Sequence, residues 1–346
     1  MMGNLRKNTI FAFFLALIPI LSFAGGGQHE KEDKFEPGHL ILHHVGDAHE
    51  WEFAHGAAIP LPVVIYSADR GIEVFSSSNL YHSANREYKG YKLTEDDKII
   101  PVEEGRKIYD ISITKNVASL FISVALLLFV FLGIARKYQK NKGKAPSGIQ
   151  SFFEPIIIYI RDDVARSAIG PKYERFMPYL LTVFFFIWFN NLLGLIPGGA
   201  NLTGNIAVTL VLALITFLIT IFSAKKTYWS HIFNTPGVPA ALKPIIIPIE
   251  IVGMFSKPFS LMIRLFANIT AGHIIILSLF SLIFIFQSYV VGVVSAAFAV
   301  FMNLLELFVA LLQAYIFTLL SAMYFGAAVE EHHHDQHGHA HEEATY

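Results

Sequence analysis

Residues 256–273 read SKPFSLMIRLFANITAGH. They lie inside an apolar run from Pro244 to Phe286, yet they carry Lys257, Arg264, Asn268 and His273. A charged side chain in hydrocarbon costs at least a few kcal/mol, so an arginine in such a run is by default a functional residue. The following segment, Tyr289 to Glu330, has the same apolar character. As helices at 1.5 Å per residue, each would be about 60 Å long, against a hydrocarbon core of about 30 Å. Both must therefore tilt, kink or run partly along the interface. Their similar lengths and a junction near Gln287 predict an antiparallel hairpin.

The whole chain fits this setting. Its 346 residues are 54% hydrophobic and 15% charged, which defines an integral membrane protein. A net charge of −1 and the lack of a basic stripe or nucleotide motif exclude nucleic acid as a partner. With no cysteine there is no disulfide, thiolate metal site or cysteine nucleophile. No cofactor is expected.

Met1 to Ala24 has Arg6 and Lys7, an apolar core from Ile10 to Ile20, and small residues Ser22 and Ala24 before a cut, the pattern of a secretory signal peptide. A retained anchor is the rival reading, but the core is short for a span. Residues 25–115 are mixed polar and read as an exported, periplasmic segment. Within it Leu61–Tyr66 and Ile72–Phe75, around Ser-Ala-Asp-Arg-Gly, predict a β-hairpin with Gly71 supplying the turn. His43, His44, His49 and His55 match no metal-ligand spacing and are taken as surface or packing residues.

Val117–Ala135 is an uncharged span followed by Arg136, Lys137, Lys140, Lys142 and Lys144. The positive-inside rule puts that basic loop in the cytoplasm. Gly148–Ile169 is amphipathic, with Phe152, Phe153, Ile156, Ile160 and Val164 on one face and Arg161, Asp162, Asp163 and Arg166 on the other. It predicts a helix on the cytoplasmic membrane surface or against a partner, ended by Pro171; a buried helix of a soluble domain is the alternative. Phe176–Pro197 and Ile206–Ser223 are the next two spans, with Lys225 and Lys226 again cytoplasmic. Asn190, Asn191, Asn201, Thr203 and Asn205 cluster at the exported end of this pair. They either line a water-filled inlet or act as caps and turns. The fold class is thus an all-α polytopic membrane protein of about five spans, with a membrane domain over 116–330 and the C-terminus cytoplasmic.

On an ideal helix Glu250, Lys257, Arg264 and Asn268 fall within about 60° of one another, and His273 points to the opposite side. Asn303, Glu306, Gln313 and Tyr324 form a stripe on the next helix. Arginine stays protonated, so Arg264 cannot relay its own proton, but it holds a neighbouring carboxylate ionised. His273 and Glu306 are the opposite kind of group, titratable side chains that burial and neighbours can bring near ambient pH. A fixed cation flanked by titratable groups is a proton path with an electrostatic block in it. The alternative is a buried salt bridge from Arg264 to Glu306 or Glu250 that only fixes packing.

SKPFSLMIRLFANITAGH followed by ELFVALLQAYIFTLL, together with WFNNLLGLIPG and ANLTGNIAVTLVLAL, resembles subunit a of the F-type ATP synthases over about residues 117–329. The resemblance implies that Arg264 is the family's essential arginine, Asn268 the asparagine one turn later and Gln313 the glutamine facing that arginine. It implies that His273, Glu306 and Glu250 belong to the proton pathway. Lys257, Ser260, Asn303 and Tyr324 are further candidates for lining it, with Asn190, Asn191 and Asn205. The implied partners are the c-subunit ring, the peripheral-stalk b subunits and the lipid bilayer of a bacterial inner membrane. Two aqueous half-channels would serve the ring carboxylates, with no ATP chemistry on this chain. The rivals are a stand-alone ion-coupled transporter with its substrate at Arg264 and a membrane-anchored receptor. The His-rich tail 331–346 is read as solvated and disordered rather than as a metal site.

Overall fold

A computed structural model of the chain describes residues 46–54, 57–83, 85–103, 105–140, 142–196, 199–234, 239 and 241–330. The expected signal peptide, His43, His44, His55 and the His-rich tail lie outside the described residues.

The segment before the first span folds as three small antiparallel sheets. β1 (Glu50–Ala54) pairs with β2 (Ala57–Pro60). β3 (Pro62–Ser67) pairs with β4 (Gly71–Ser76) in the expected hairpin, where Gly71 has φ +73°, a backbone that favours glycine. β5 (Glu87–Tyr88), β6 (Tyr91–Leu93) and β7 (Ile99–Pro101) form a third sheet, and β8 (Ile108–Asp110) joins β3 on the side away from β4. Val63, Ile65, Phe75, Leu80, Tyr91, Leu93 and Ile99 close one core between the sheets.

Only the β3–β4 hairpin was legible in advance. The other strands are two to five residues long, too short for an alternation to show. This unit is tied to the first membrane helix, α1 (Lys115–Lys140). Lys115 N–H donates to the Ala48 carbonyl at 2.8 Å, and Asn116 N–H donates to Asp47 Oδ1 at 3.0 Å. Beside this junction His49 Nε2 lies 3.1 Å from Asp110 Oδ2, and Ser112 donates to Asp110 through N–H and Oγ. Burial alone would raise the Asp110 carboxyl; hydrogen bonds from His49 and Ser112 outweigh it and hold the group below the usual carboxylate range.

α2 (Ile149–Tyr159) continues through a π-helical stretch, Ile160–Arg166, to Ile169. A continuous amphipathic helix was expected here. The wider turns put Ile160, Val164, Ala165 and Ile169 together on the buried side while Arg161 and Asp162 stay outside in an ion pair of 2.8 Å. The inner face rests on α3 (Tyr173–Gly194) and on the final helix, so the partner the sequence asked for is this chain's own bundle. The helix ends at Gly170, with φ +75°, one residue before Pro171.

α4 (Ile206–Ser223) has the bounds its uncharged run set, and it turns Thr209, Ala213, Thr216 and Thr220 inward. Small and hydroxyl side chains let helices approach closely in lipid, where apolar area gives no drive of its own. The threonines satisfy themselves on the preceding turn; Thr216 also meets Tyr179 Oη at 2.7 Å. α5 (Lys226–Phe233) was not foreseen.

The hairpin is as expected: α6 (Lys243–Phe286) and α7 (Tyr289–Val329) meet at Gln287, which adopts φ +43°. Among the described residues five helices, α1, α3, α4, α6 and α7, are long and apolar enough to cross a membrane. α6 packs on α7 and α4, while α7 also packs on α3 and the end of α2. Phe131, Phe153 and Phe185 knit α1, α2 and α3, with ring centroids 4.5 to 5.6 Å apart.

At one crossing the backbones nearly touch. A Cβ on Gly326 of α7 would stand 2.0 Å from the Ala168 carbonyl oxygen, a backbone atom that cannot swing away. Gly326→Ala is therefore expected to cost about 1 to 3 kcal/mol, as overpacking does, and more if α2 cannot shift. Thermal unfolding of the detergent-solubilised chain would show it as a lowered midpoint, and an unchanged midpoint would disprove the close approach.

Candidate functional site

α6 and α7 present their polar groups in three places. The first lies between them. Glu306 is 5% exposed, and its Oε1 lies 3.3 Å from His273 Nδ1, although the two residues stand on different helices. Room for this contact comes from Gly272: a Cβ there would be 2.9 Å from Glu306 Oε1 and 3.0 Å from its Cδ. The other carboxyl oxygen, Glu306 Oε2, is buried and has no hydrogen-bond partner among the described residues, and neither has the buried Thr270 hydroxyl. A buried carboxyl atom with an open valence is costly unless water or a proton reaches it.

The second place is the open surface of α6. Ser260, Arg264 and Asn268, spaced by one turn, are all exposed, as are Ile263 and Ala267 beside them. Among the described residues Arg264 has no hydrogen bond and no ion pair. The buried salt bridge weighed above is thus not what forms: Glu306 takes His273, and Glu250 lies elsewhere. Gln313 is buried at 4% exposure on α7 and makes no direct hydrogen bond to Arg264. Asn303 on α7 is exposed.

The third place is a cavity of about 310 Å³ bounded by α5, α6 and the end of α7. Glu250, Lys257, His231, Tyr228, Thr227 and Glu330 supply its polar lining. A smaller void of about 10 Å³ adjoins it, shares Tyr228, Met254 and Lys257, and reaches Tyr324 and Leu261. There the Lys257 ammonium sits 5.6 Å from the centre of the Tyr324 ring, a cation–π contact that softens its desolvation. The stripe Glu250–Lys257–Arg264–Asn268 therefore starts in a cavity and ends on the bare face of α6.

The asparagines at the far end of the bundle make packing and capping contacts. Asn191 donates to the Ala310 carbonyl of α7 at 3.3 Å and accepts from Thr203 Oγ1 at 2.6 Å. Asn205 Oδ1 accepts from Ala207 N–H at 2.9 Å and caps α4. Asn190 donates to the Phe186 carbonyl at 2.7 Å and keeps a buried, unpartnered Oδ1 among the described residues. Among the described residues no three His, Asp or Glu side chains gather where a metal ion would be held.

Sequence reasoning missed Gly272, Thr270 and the α5 side of the cavity. Gly272 had a signal, a glycine inside a helix next to a histidine; Thr227, Tyr228 and His231 had none, because their helix is short and their partner distant in sequence.

The fold and these three polar places define a polytopic helical membrane protein that keeps ionisable groups within its spans. Residues 117–326 match the family model described as ATP synthase A chain, and residues 40–119 match one described as a domain of unknown function. The chain is 44% identical over 329 residues to ATP synthase subunit a 2 of Chlorobaculum tepidum, an alignment covering 93% of this chain and 81% of that one. It is 49% identical over 240 residues to ATP synthase subunit a of Chloroherpeton thalassium, covering 67% and 72%. With ATP synthase subunit a of Chlorobium phaeobacteroides the identity is 42% over 308 residues, covering 87% and 79%. The chain belongs to the ATP synthase A chain family, the a subunit of the Fo sector in F-type ATP synthases, and is a multi-pass membrane component of that complex.

Proposed function

We propose that this subunit is the stator that passes protons to and from the carboxylates of a c-subunit ring, against which the peripheral-stalk b subunits hold it. The observation that carries the reading is Arg264: a permanent cation on a membrane-spanning helix, turned to the outside of the chain, with no counter-ion among the described residues. Such a charge in hydrocarbon needs a partner. A carboxylate on a neighbouring subunit supplies the missing charge, and one that moves past supplies it transiently.

The other two places give such a carboxylate its protons. Glu306 with His273 forms one half-channel terminus, some nine residues or about 14 Å along α6 from Arg264. The cavity at Glu250 and Lys257 opens the other, about 10 Å (Lys257) to 21 Å (Glu250) from Arg264 in the opposite direction. Between them Arg264 holds the ring carboxylate ionised and blocks a direct proton short circuit. One charge falling through 100 mV releases about 2.3 kcal/mol, so several protons are needed per ATP, and ring rotation sums them. α6 runs unbroken through Pro248 and Pro258, unlike the interrupted helices that hold a substrate in a stand-alone transporter.

The topology proposed with this function has residues 1–24 removed as a signal peptide, residues 25–115 in the periplasm, and the membrane domain 116–330 in a bacterial inner membrane. The tail 331–346 then lies in the cytoplasm.

A disulfide cross-link tests the interface. Leu265, although next to Arg264, is 1% exposed and points into the bundle, so the reporter belongs at Ala267, on the open face. In this cysteine-free chain, Ala267→Cys paired with a cysteine beside the ring carboxylate is expected to give an a–c heterodimer on oxidation. Its absence from complexes shown to be assembled would refute the proposed interface.

A further inference from the structure

The β4–β3–β8 sheet buries one face and leaves the other both bare and apolar. Inward, Val63, Ile65 and Phe75 close the core of this unit. Outward, Val64 stands opposite Val74, Tyr66 opposite Ile72, and Tyr66 opposite Tyr109. Ile72 is 70% exposed, Ile111 65%, Tyr109 63% and Val74 60%. The Tyr66 and Tyr109 rings lie 6.3 Å apart. An antiparallel sheet with one solvated face normally alternates apolar inward with polar outward, and this one does not. A contiguous apolar patch of this kind marks a contact surface.

The segment that carries Tyr109 and Ile111 leads straight into α1. β3 and the chain after β8 stay paired as far as Ile113, whose N–H donates to the Pro62 carbonyl at 3.1 Å. α1 begins two residues later and carries Phe121, Ile122, Leu128 and Phe129 on its own exposed side. Ile111 is four residues from Lys115, so at about 3.3 Å per residue it lies within about 13 Å of the helix start. The near end of the patch, where Ile111 N–H donates to the Val64 carbonyl at 2.9 Å, is thus tied close to the start of α1. The side-chain polar groups within the patch are the hydroxyls of Tyr66, Tyr109 and Ser76, while the exposed Lys107 stands at its end away from α1. Next to a membrane helix, aliphatic bodies with tyrosine hydroxyls at the wet edge are the composition that the lipid headgroup boundary favours.

We propose that this face of the extramembrane unit is a lipid-docking surface that lies on the bilayer and fixes the unit against the membrane beside α1. The inference requires only that α1 enters the bilayer, and it stands or falls apart from the proton path.

Spin labels read the outcome directly. Ile72→Cys and, separately, Val74→Cys would be labelled in the assembled complex in vesicles of phosphatidylethanolamine and phosphatidylglycerol, with Lys92→Cys on the other sheet as the aqueous control. Collision with oxygen, which concentrates in lipid, is compared with collision with a water-soluble nickel chelate. The expected result is an oxygen-to-nickel ratio several-fold above that at position 92 for both labels. A ratio equal to the control would leave the face in water and overturn the proposal. Shielding from both agents would overturn it too, because protein, either another subunit or the residues preceding 46, would then cover the face.

Discussion

Replacing Arg264 with alanine is expected to abolish ATP-driven proton pumping in fully assembled complexes, to below about one hundredth of the unmodified rate, equivalent to at least about 2.7 kcal/mol. Leu261 and Leu265 hold this stretch of α6 in the bundle, and Arg264 itself projects outward, so the substitution removes a charge without opening the core. On the proposed mechanism two effects follow from the missing cation. A ring carboxylate arriving at this position has nothing to keep it ionised, so it does not release its proton on schedule. The barrier between the two proton inlets also falls, so passive proton leakage through Fo rises as pumping disappears. Arg264→Lys tests geometry apart from charge: the charge remains, the planar fork does not, and partial function at best is expected. Pumping by inverted vesicles, followed with a pH-sensitive dye and normalised to assembled complex, decides the matter. Near-normal pumping in the alanine variant would remove Arg264 from the mechanism.

The membrane hairpin could be read from the sequence almost to the residue, because uncharged runs bounded by basic clusters and a polar junction leave few choices for where a helix can end. α4 has the same bounds in both readings, and α6 begins within one residue of its run. What the chain order hid was register between helices. A helical wheel gives each side chain a direction on its own axis, yet Glu306 could face Arg264, Glu250 or His273 depending on how far α7 slides along α6. The answer was set by Gly272, whose missing Cβ opens the slot that Glu306 enters. The same limit hid the cavity, since Tyr228, His231 and Glu250 are brought together by the fold of a loop rather than by any period. Leu265 shows the converse: adjacency to Arg264 in sequence places it on the other side of the helix.

That slot makes Glu306→Gln the sharper of the tests on the proton path. The amide has the shape of the carboxyl, so it can fill the space beside Gly272 and still meet His273 across the 3.3 Å contact. It cannot take up and release a proton. If Glu306 delivers protons to the ring, flux through Fo in complexes stripped of their catalytic head is expected to fall by about 10- to 100-fold, a barrier rise of about 1.4 to 2.7 kcal/mol. Assembly should be intact. A merely structural Glu306 predicts the opposite pattern, because the isosteric amide relieves a carboxyl whose Oε2 is buried without a partner among the described residues. Stability would then hold or rise with flux unchanged. His273→Ala separates the pair further. If the imidazole relays the proton, flux should fall as in Glu306→Gln, and the double variant should be no worse than either single one, since groups acting in series on one path are not additive. Additive losses would place the two residues on separate routes and dissolve the pair as a functional unit.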